Sequence, residues 1–152
     1  MIEVGKKAPS FSLKNQNGKT VKLGDLKGKK IVLFAFPKAA TSGCTKQACG
    51  FRDELPRLKR AGAVVLGISP DSPEALQKWK KKEKLPYDLL SDPQHRVLEA
   101  YGAWGEKSMY GRKYEGVIRS HFIIDEKGKL ADAQIKVSPA QSVERAGEFL
   151  AH

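Results

Sequence analysis

Two stretches of this chain are apolar without a break, and most of the rest alternates. "IVLFAF" (31–36) and "AVVLGIS" (63–69) have the continuous pattern of strands buried on both faces. Pro37 stops the first, because proline cannot donate to a strand ladder. After a Gly-containing loop, Ala48, Phe51, Leu55 and Leu58 recur at helical spacing, which predicts a helix over 44–60. Pro56 falls inside it, so a kink or break is expected near Leu55. Ahead of the first apolar run, "SFSLKNQNGKTVKL" alternates around Asn17-Gly18, the signature of a β-hairpin.

Beyond the second apolar run, Asp71 or Ser72 caps a helix reaching Lys84, with Pro73 in its first turn. "YDLLSD" predicts a short third strand at 87–90, and "PQHRVLEAYG" a short helix closed by Gly102. Residues 117–125 and 129–137 read as two strands joined by the turn "DEKG". Ser138-Pro139 opens a last helix ending near Ala151. Helices alternating with buried strands require parallel pairing, and the late hairpin adds antiparallel strands. The expected fold is an α/β sandwich with a mixed central β-sheet flanked by helices and an N-terminal β-hairpin. With 152 residues and neither repeat nor linker, one domain over 1–152 is expected.

Composition changes this picture little. The formal net charge is +11, a balance that favours solubility and attracts anionic surfaces. The densest basic run is "KWKKKEK" (78–84). Only Trp79 is aromatic there, so it reads as a solvated helix face rather than a stacking platform for nucleic acid. No apolar run approaches a membrane span, and "MIEVGKKAPSF" lacks the pattern of a signal peptide. A cytoplasmic location is expected, with neither membrane nor nucleic acid as partner.

The candidate chemistry is concentrated in "FPKAATSGCTKQACGF" (36–51), which holds both cysteines, Cys44 and Cys49. Two cysteines do not make a secreted disulfide scaffold. A closed zinc site needs about four Cys or His ligands, whereas His95, His121 and His152 are scattered along the chain; no metal is expected. Cys44 follows the end of a central strand, in the first turn of a helix, where open α/β sheets present their sites. Unpaired N–H groups at that helix end favour a thiolate. Thr41 offers a hydroxyl nearby, and Pro37 fixes the backbone and shields the sulfur. Cys44 is thus placed as a nucleophile. Residues five apart on a helix differ by about 7.5 Å along its axis, beyond the roughly 4.4–6.8 Å between Cα atoms of a disulfide. A permanent staple is therefore disfavoured. A transient bond that requires the helix to open remains compatible, as does Cys49 as a plain small buried residue.

"PKAATSGC" carries the P-x3-T-x2-C pattern of the peroxiredoxins, with Pro37, Thr41 and Cys44 in register. "TKQACGFRDE" and "YGAWGEKSMYGRKYEGVIRSHFIID" (101–125) resemble the bacterioferritin comigratory protein, or Q-type, subfamily. The resemblance spans nearly the whole chain and implies a thioredoxin-like fold and thiol peroxidase activity. It implies Cys44 as the peroxidatic cysteine, oxidised by hydrogen peroxide or alkyl hydroperoxides to a sulfenic acid. Arg119, Thr41 and backbone N–H groups would stabilise the departing oxygen. Cys49 would resolve the sulfenic acid as an intramolecular disulfide, and thioredoxin or a similar dithiol would reduce it. No cofactor is implied. An internal resolving thiol needs no second subunit, so a monomer is expected.

The chain departs from the subfamily's pattern at three places. Ala39 and Ala40 replace a common Asp-Asn pair, which bears on loop flexibility. Gln47 stands where a glutamate often orients the arginine, and the lost charge is expected to loosen Arg119. His121 replaces a common threonine and is expected to be a packed or hydrogen-bonded strand residue without a catalytic role. Trp104 and Tyr110 flank a Gly-rich segment (102–116) and are expected to pack under a loop, the alternative being that this loop lines the peroxide entrance or helps dock the reductase. Two other classes compete with a peroxidase. A thiol–disulfide oxidoreductase of the same fold would rely on C-x-x-C, which is not the spacing here. A basic non-enzymatic binding module rests on charge alone.

Overall fold

The two uninterrupted apolar runs become neighbouring parallel strands at the centre of a sheet. They are β3 (Lys30–Ala35) and β4 (Ala63–Ser69), paired from Lys30–Ala63 to Ala35–Ile68. The structure is a computed structural model that describes residues 2–151, except the side chain of Met109; His152 lies outside the described residues. The N-terminal hairpin, β1 (Ser12–Asn15) and β2 (Thr20–Lys22), turns at Asn17-Gly18. Asn15 holds that turn with its side-chain oxygen, which accepts from the N–H groups of Asn17 and Lys19.

The sheet has seven strands. Strand β1 pairs antiparallel with β5 (Asp88–Ser91), which runs parallel to β4. On the other side, β3 pairs antiparallel with β8 (Ser120–Ile124), and β8 with β9 (Leu130–Ile135). The order is β2-β1-β5-β4-β3-β8-β9. Both faces of β3 are buried, which is why its sequence does not alternate. Val32, Phe34 and Phe36 meet Ala48, Phe51 and Leu55 of helix α1 (Ser42–Arg60), Leu76 and Trp79 of α2 (Pro73–Glu83), and Ala146 of α4 (Pro139–Leu150). Ile31, Leu33 and Ala35 point to the opposite face, against Phe11, Leu98 of α3 (Arg96–Ala100), and Tyr101.

Helix capping follows the residue types. Ser72 and Ser138 accept from the N–H groups of Ala75 and Gln141, each with proline at the next position, and Gln141 completes a capping box. Asp71 is not a cap. Its carboxylate accepts from the Ala39 N–H at 2.7 Å and the Ser69 hydroxyl at 2.8 Å, tying the loop after β3 to the end of β4.

Three expectations differ from the structure. Helix α1 runs unbroken through Pro56. Pro56 is exposed, so the carbonyl it leaves unpaired one turn back faces water, while buried Leu55 and Leu58 hold the helix to the sheet. The Gly-rich segment is not a loop but a hairpin, β6 (Trp104–Met109) and β7 (Arg112–Val117), with Tyr110 and Gly111 both at positive φ, as a two-residue type I′ turn requires. Tyr110 at its tip is 99% exposed and packs under nothing, whereas Trp104 stacks on the His95 ring at 3.8 Å. Finally, the strand expected over 117–125 is split: β7 ends at Val117, β8 starts at Ser120, and Arg119 lies in the break.

Candidate active site

The break between β7 and β8 delivers Arg119 to Cys44. Released from strand geometry, Arg119 keeps one tie to the sheet edge, its carbonyl accepting from the Val137 N–H at 3.0 Å. Its guanidinium then forks. Nη2 donates to the Cys44 sulfur at 3.4 Å, and Nη1 donates to Oε1 of Gln47 at 2.7 Å. Gly43 permits the approach, since a Cβ there would stand 3.0 Å from Nη2.

Cys44 is the third residue of α1, with Thr41 as N-cap residue. Helix geometry leaves the first N–H groups of such a turn without intrahelical partners, aimed at the region of the sulfur. The side chain of Cys44 has no exposed surface. The residues that precede it in the chain, Lys38, Ala40, Thr41 and Ser42, are exposed. The loop Pro37–Thr41 leaves the end of β3 and is held by Asp71 from below. Ala40 takes a φ of 67° in it, a left-handed conformation that asparagine tolerates better than alanine.

Of the expected site residues, Cys44 and Arg119 are in direct contact. Thr41 adjoins them in sequence, but its hydroxyl donates to the Lys38 carbonyl at 2.7 Å rather than to the sulfur. Pro37 is half-buried where β3 ends. Cys49 stands apart. Both cysteines are free thiols on one continuous helix, about 140° from each other around its axis. Cys49 faces α2, where its sulfur lies 3.6 Å from the Glu83 carboxylate. Burial pushes the Cys49 thiol up, and Glu83 adds to this against the opposing charge of Arg52.

The start of α1 is pinned from outside. The Trp79 indole N–H donates to the Thr45 hydroxyl at 3.2 Å, and the Tyr87 hydroxyl donates to the Ala48 carbonyl at 2.6 Å. Arg52 bridges to the Glu83 carbonyl at 2.6 Å. Trp79, the one aromatic of the lysine-rich run, is buried against Phe36 and presents no face to a base.

Two residues of the site carried no sequence signal. Lys107 of β6 has its ammonium pulled down by burial and by the nearby Arg119 charge, with Cys44 opposing; its Nζ donates to the Val117 carbonyl. Ser142 of α4 accepts from Gln47 Nε2 at 3.1 Å and bonds His121 Nδ1 at 2.9 Å. His121 is buried and hydrogen-bonded on β8, as expected of it. Arg119 is not left loose by Gln47, whose amide oxygen grips it. Among the described residues no group of three or more His, Cys, Asp or Glu could hold a metal ion, and no helix is long and apolar enough to cross a membrane.

The arrangement can therefore polarise a buried sulfur with a fixed cation and a helix end, and stabilise charge on an oxygen brought against it. The chain as a whole is similar to known proteins. The sequence profile of the AhpC/TSA family matches residues 4–133. Peroxiredoxin Bcp of Escherichia coli K12 is 49% identical over 129 residues, covering 85% of this chain and 83% of that protein. The bacterioferritin comigratory protein of Xanthomonas campestris superposes with a TM-score of 0.90 at 27% identity, covering 98% of each chain. That protein was solved as trapped intermediate and ligand complexes that bear on its alkyl peroxide reduction activity. Peroxidoxin BcpB of Mycobacterium tuberculosis gives a TM-score of 0.88 at 31% identity, over 99% of this chain and 97% of its own.

Proposed function

The chain belongs to the AhpC/TSA family as a thioredoxin-like peroxiredoxin, a thiol-dependent peroxidase, and on that premise we propose that Cys44 is its peroxidatic cysteine and Cys49 its resolving cysteine. The observation that carries this reading is the contact of Arg119 Nη2 with the Cys44 sulfur at the first turn of α1. The Cys44 thiolate attacks the terminal oxygen of hydrogen peroxide or an alkyl hydroperoxide. The O–O bond breaks, Cys44 becomes a sulfenic acid, and the departing oxygen leaves as water or an alcohol once protonated. Arg119 and the first N–H groups of α1 meet the charge that gathers on that oxygen. Pro37 and Thr41 shape the loop over the sulfur.

Cys49 then attacks the sulfenic sulfur. An S–S bond forms, and the hydroxyl leaves with the Cys49 proton as water. Intact α1 keeps the two sulfurs out of reach, so the first turns must open before this step. Thioredoxin or a similar dithiol returns both cysteines to thiols by exchange. The cycle needs no second subunit, metal or organic cofactor, and we assign the enzyme as a cytoplasmic, monomeric, single-domain antioxidant that binds neither nucleic acid nor membrane.

The test is to reduce the protein, add one equivalent of hydrogen peroxide, and take intact and peptide masses without reductant. Loss of two hydrogens, mapped to a Cys44–Cys49 link within one chain, is expected. A persistent gain of oxygen on Cys44 would remove Cys49 from the cycle. An unchanged mass would overturn the assignment of Cys44.

A further inference from the structure

Behind the Arg119 guanidinium, a line of buried polar groups crosses from α1 to α4 and back to β8. Arg119 Nη1 meets Gln47 Oε1 at 2.7 Å, Gln47 Nε2 meets Ser142 Oγ at 3.1 Å, and Ser142 Oγ meets His121 Nδ1 at 2.9 Å. Gln47, Ser142 and His121 all have zero exposure, so these contacts are shut off from bulk solvent.

The donor in the first two contacts is dictated by chemistry. A guanidinium has donors only, so Gln47 must turn its oxygen to Arg119 and its amide N–H to Ser142. The Ser142 oxygen accepts that bond, and its single proton is directed at His121 in the arrangement argued below. Nδ1 of His121 is then the acceptor, and the neutral ring carries its proton on Nε2. Nε2 has no hydrogen-bond partner among the described residues, so the contact with Ser142 is what sets the ring's tautomer. Burial, with the Arg145 charge, pulls the imidazolium down to about 4 against the opposing Asp132.

We propose that Ser142 and His121 are positioning residues for Arg119, the neutral Nε2–H form of His121 closing a one-way line of donors that keeps the Gln47 oxygen on the guanidinium. The idea rests on the reading that Arg119 serves Cys44. It also explains how an uncharged Gln47 holds the arginine: the amide cannot rotate without facing donor to donor at Arg119 and losing its bond to Ser142. Anchoring one end of a charge-stabilising group matters because small misplacements of such groups reduce rate.

The line has a consequence that a merely well-packed histidine would not share. In Gln47→Glu the introduced carboxylate accepts from both sides. Ser142 must then donate towards that carboxylate, its oxygen becomes free to accept, and His121 must present a proton at Nδ1. Nitrogen-15 NMR of the imidazole in the reduced protein at neutral pH reads this directly. The expected result is Nε2–H in the wild type, Nδ1–H or imidazolium in Gln47→Glu, and a mixture of tautomers in Ser142→Ala. Ser142→Ala is also expected to slow Cys44 oxidation by hydrogen peroxide about tenfold, the scale of one lost hydrogen bond.

A wild-type His121 protonated on Nδ1 overturns the proposal without any variant having to fold. So does a Gln47→Glu protein that keeps the Nε2–H form. The tautomer does not depend on turnover, so an unreactive Cys44 would sink the peroxidase reading and leave this result standing. The converse outcome, a reactive Cys44 with the wrong tautomer, would sink only the line of donors.

Discussion

Nη2 of Arg119 lies 3.4 Å from the sulfur of Cys44, although 75 residues separate them in the chain. The contact needs the whole fork, because Nη1 is occupied by Gln47. Lysine has a single ammonium and cannot make both bonds in this plane. Arg119→Lys is therefore expected to lower the second-order rate of Cys44 oxidation by about 10²-fold, the scale of losing one preorganised donor. Competition for hydrogen peroxide against a reference peroxidase measures it. A rate within about threefold of the wild type would show that the helix end suffices.

Cys49 is held as a thiol while α1 is closed, by burial and by the Glu83 carboxylate 3.6 Å away. Glu83→Gln removes the negative charge and keeps a polar contact, so the thiolate becomes easier to form. Alkylation of Cys49 by iodoacetamide in the reduced protein should accelerate. Peptide masses after timed quenching separate it from Cys44. An unchanged rate would mean that burial alone keeps Cys49 protonated.

His121 makes stability depend on acidity. Its ring titrates at about 4 in the folded protein against 6.5 in the unfolded chain, so the unfolded state binds more protons between these values. The stabilising term is intact above the unfolded value and is lost as pH falls from 6.5 towards 4. It amounts to about 3 kcal/mol. Urea unfolding at pH 7.5 and 4.5, compared between wild type and His121→Asn, should show a steeper decline in the wild type. Parallel declines would place the acid sensitivity in the carboxylates.

Ala40 occupies a left-handed conformation that costs a residue with a Cβ about 1 kcal/mol or more. Asparagine visits this region more readily. Ala40→Asn should therefore stabilise the protein by roughly 0.5–1 kcal/mol, read as a higher urea midpoint with an unchanged slope. A lower midpoint would mean that the loop relies on the small side chain.

Much of the fold was legible because burial on both faces of β3 and β4 leaves an unmistakable apolar run. The serine caps and the Asn17-Gly18 turn carry their geometry in their residue types. Strands β6 and β7 escaped notice because their hairpin buries little. Its positions 106, 108 and 110–115 are exposed, so no apolar alternation marks them, and only Gly111 hinted at the turn. Pro56 misled because a proline's effect on a helix depends on which side faces water, and that is a tertiary fact. At the site, Cys44 was readable from local order, since strand, loop and helix start are contiguous. Gln47 beside Arg119 was anticipated through the resemblance, but the group behind Gln47 was not. Gln47 and Ser142 are 95 residues apart, and only the packing of α1 on α4 brings them together.

Trp79 has a consequence of an optical kind. Its indole N–H is spent on Thr45, the residue after Cys44, and its ring lies against Phe36. The other tryptophan, Trp104, is stacked on His95 among the residues of the opposite face. Unwinding the start of α1 strips Trp79 of its acceptor and leaves Trp104 untouched. In the proposed cycle Trp79 is thus a built-in fluorophore beside the segment that opens. Its emission should report each opening and reclosing in real time, without a label and without a partner protein.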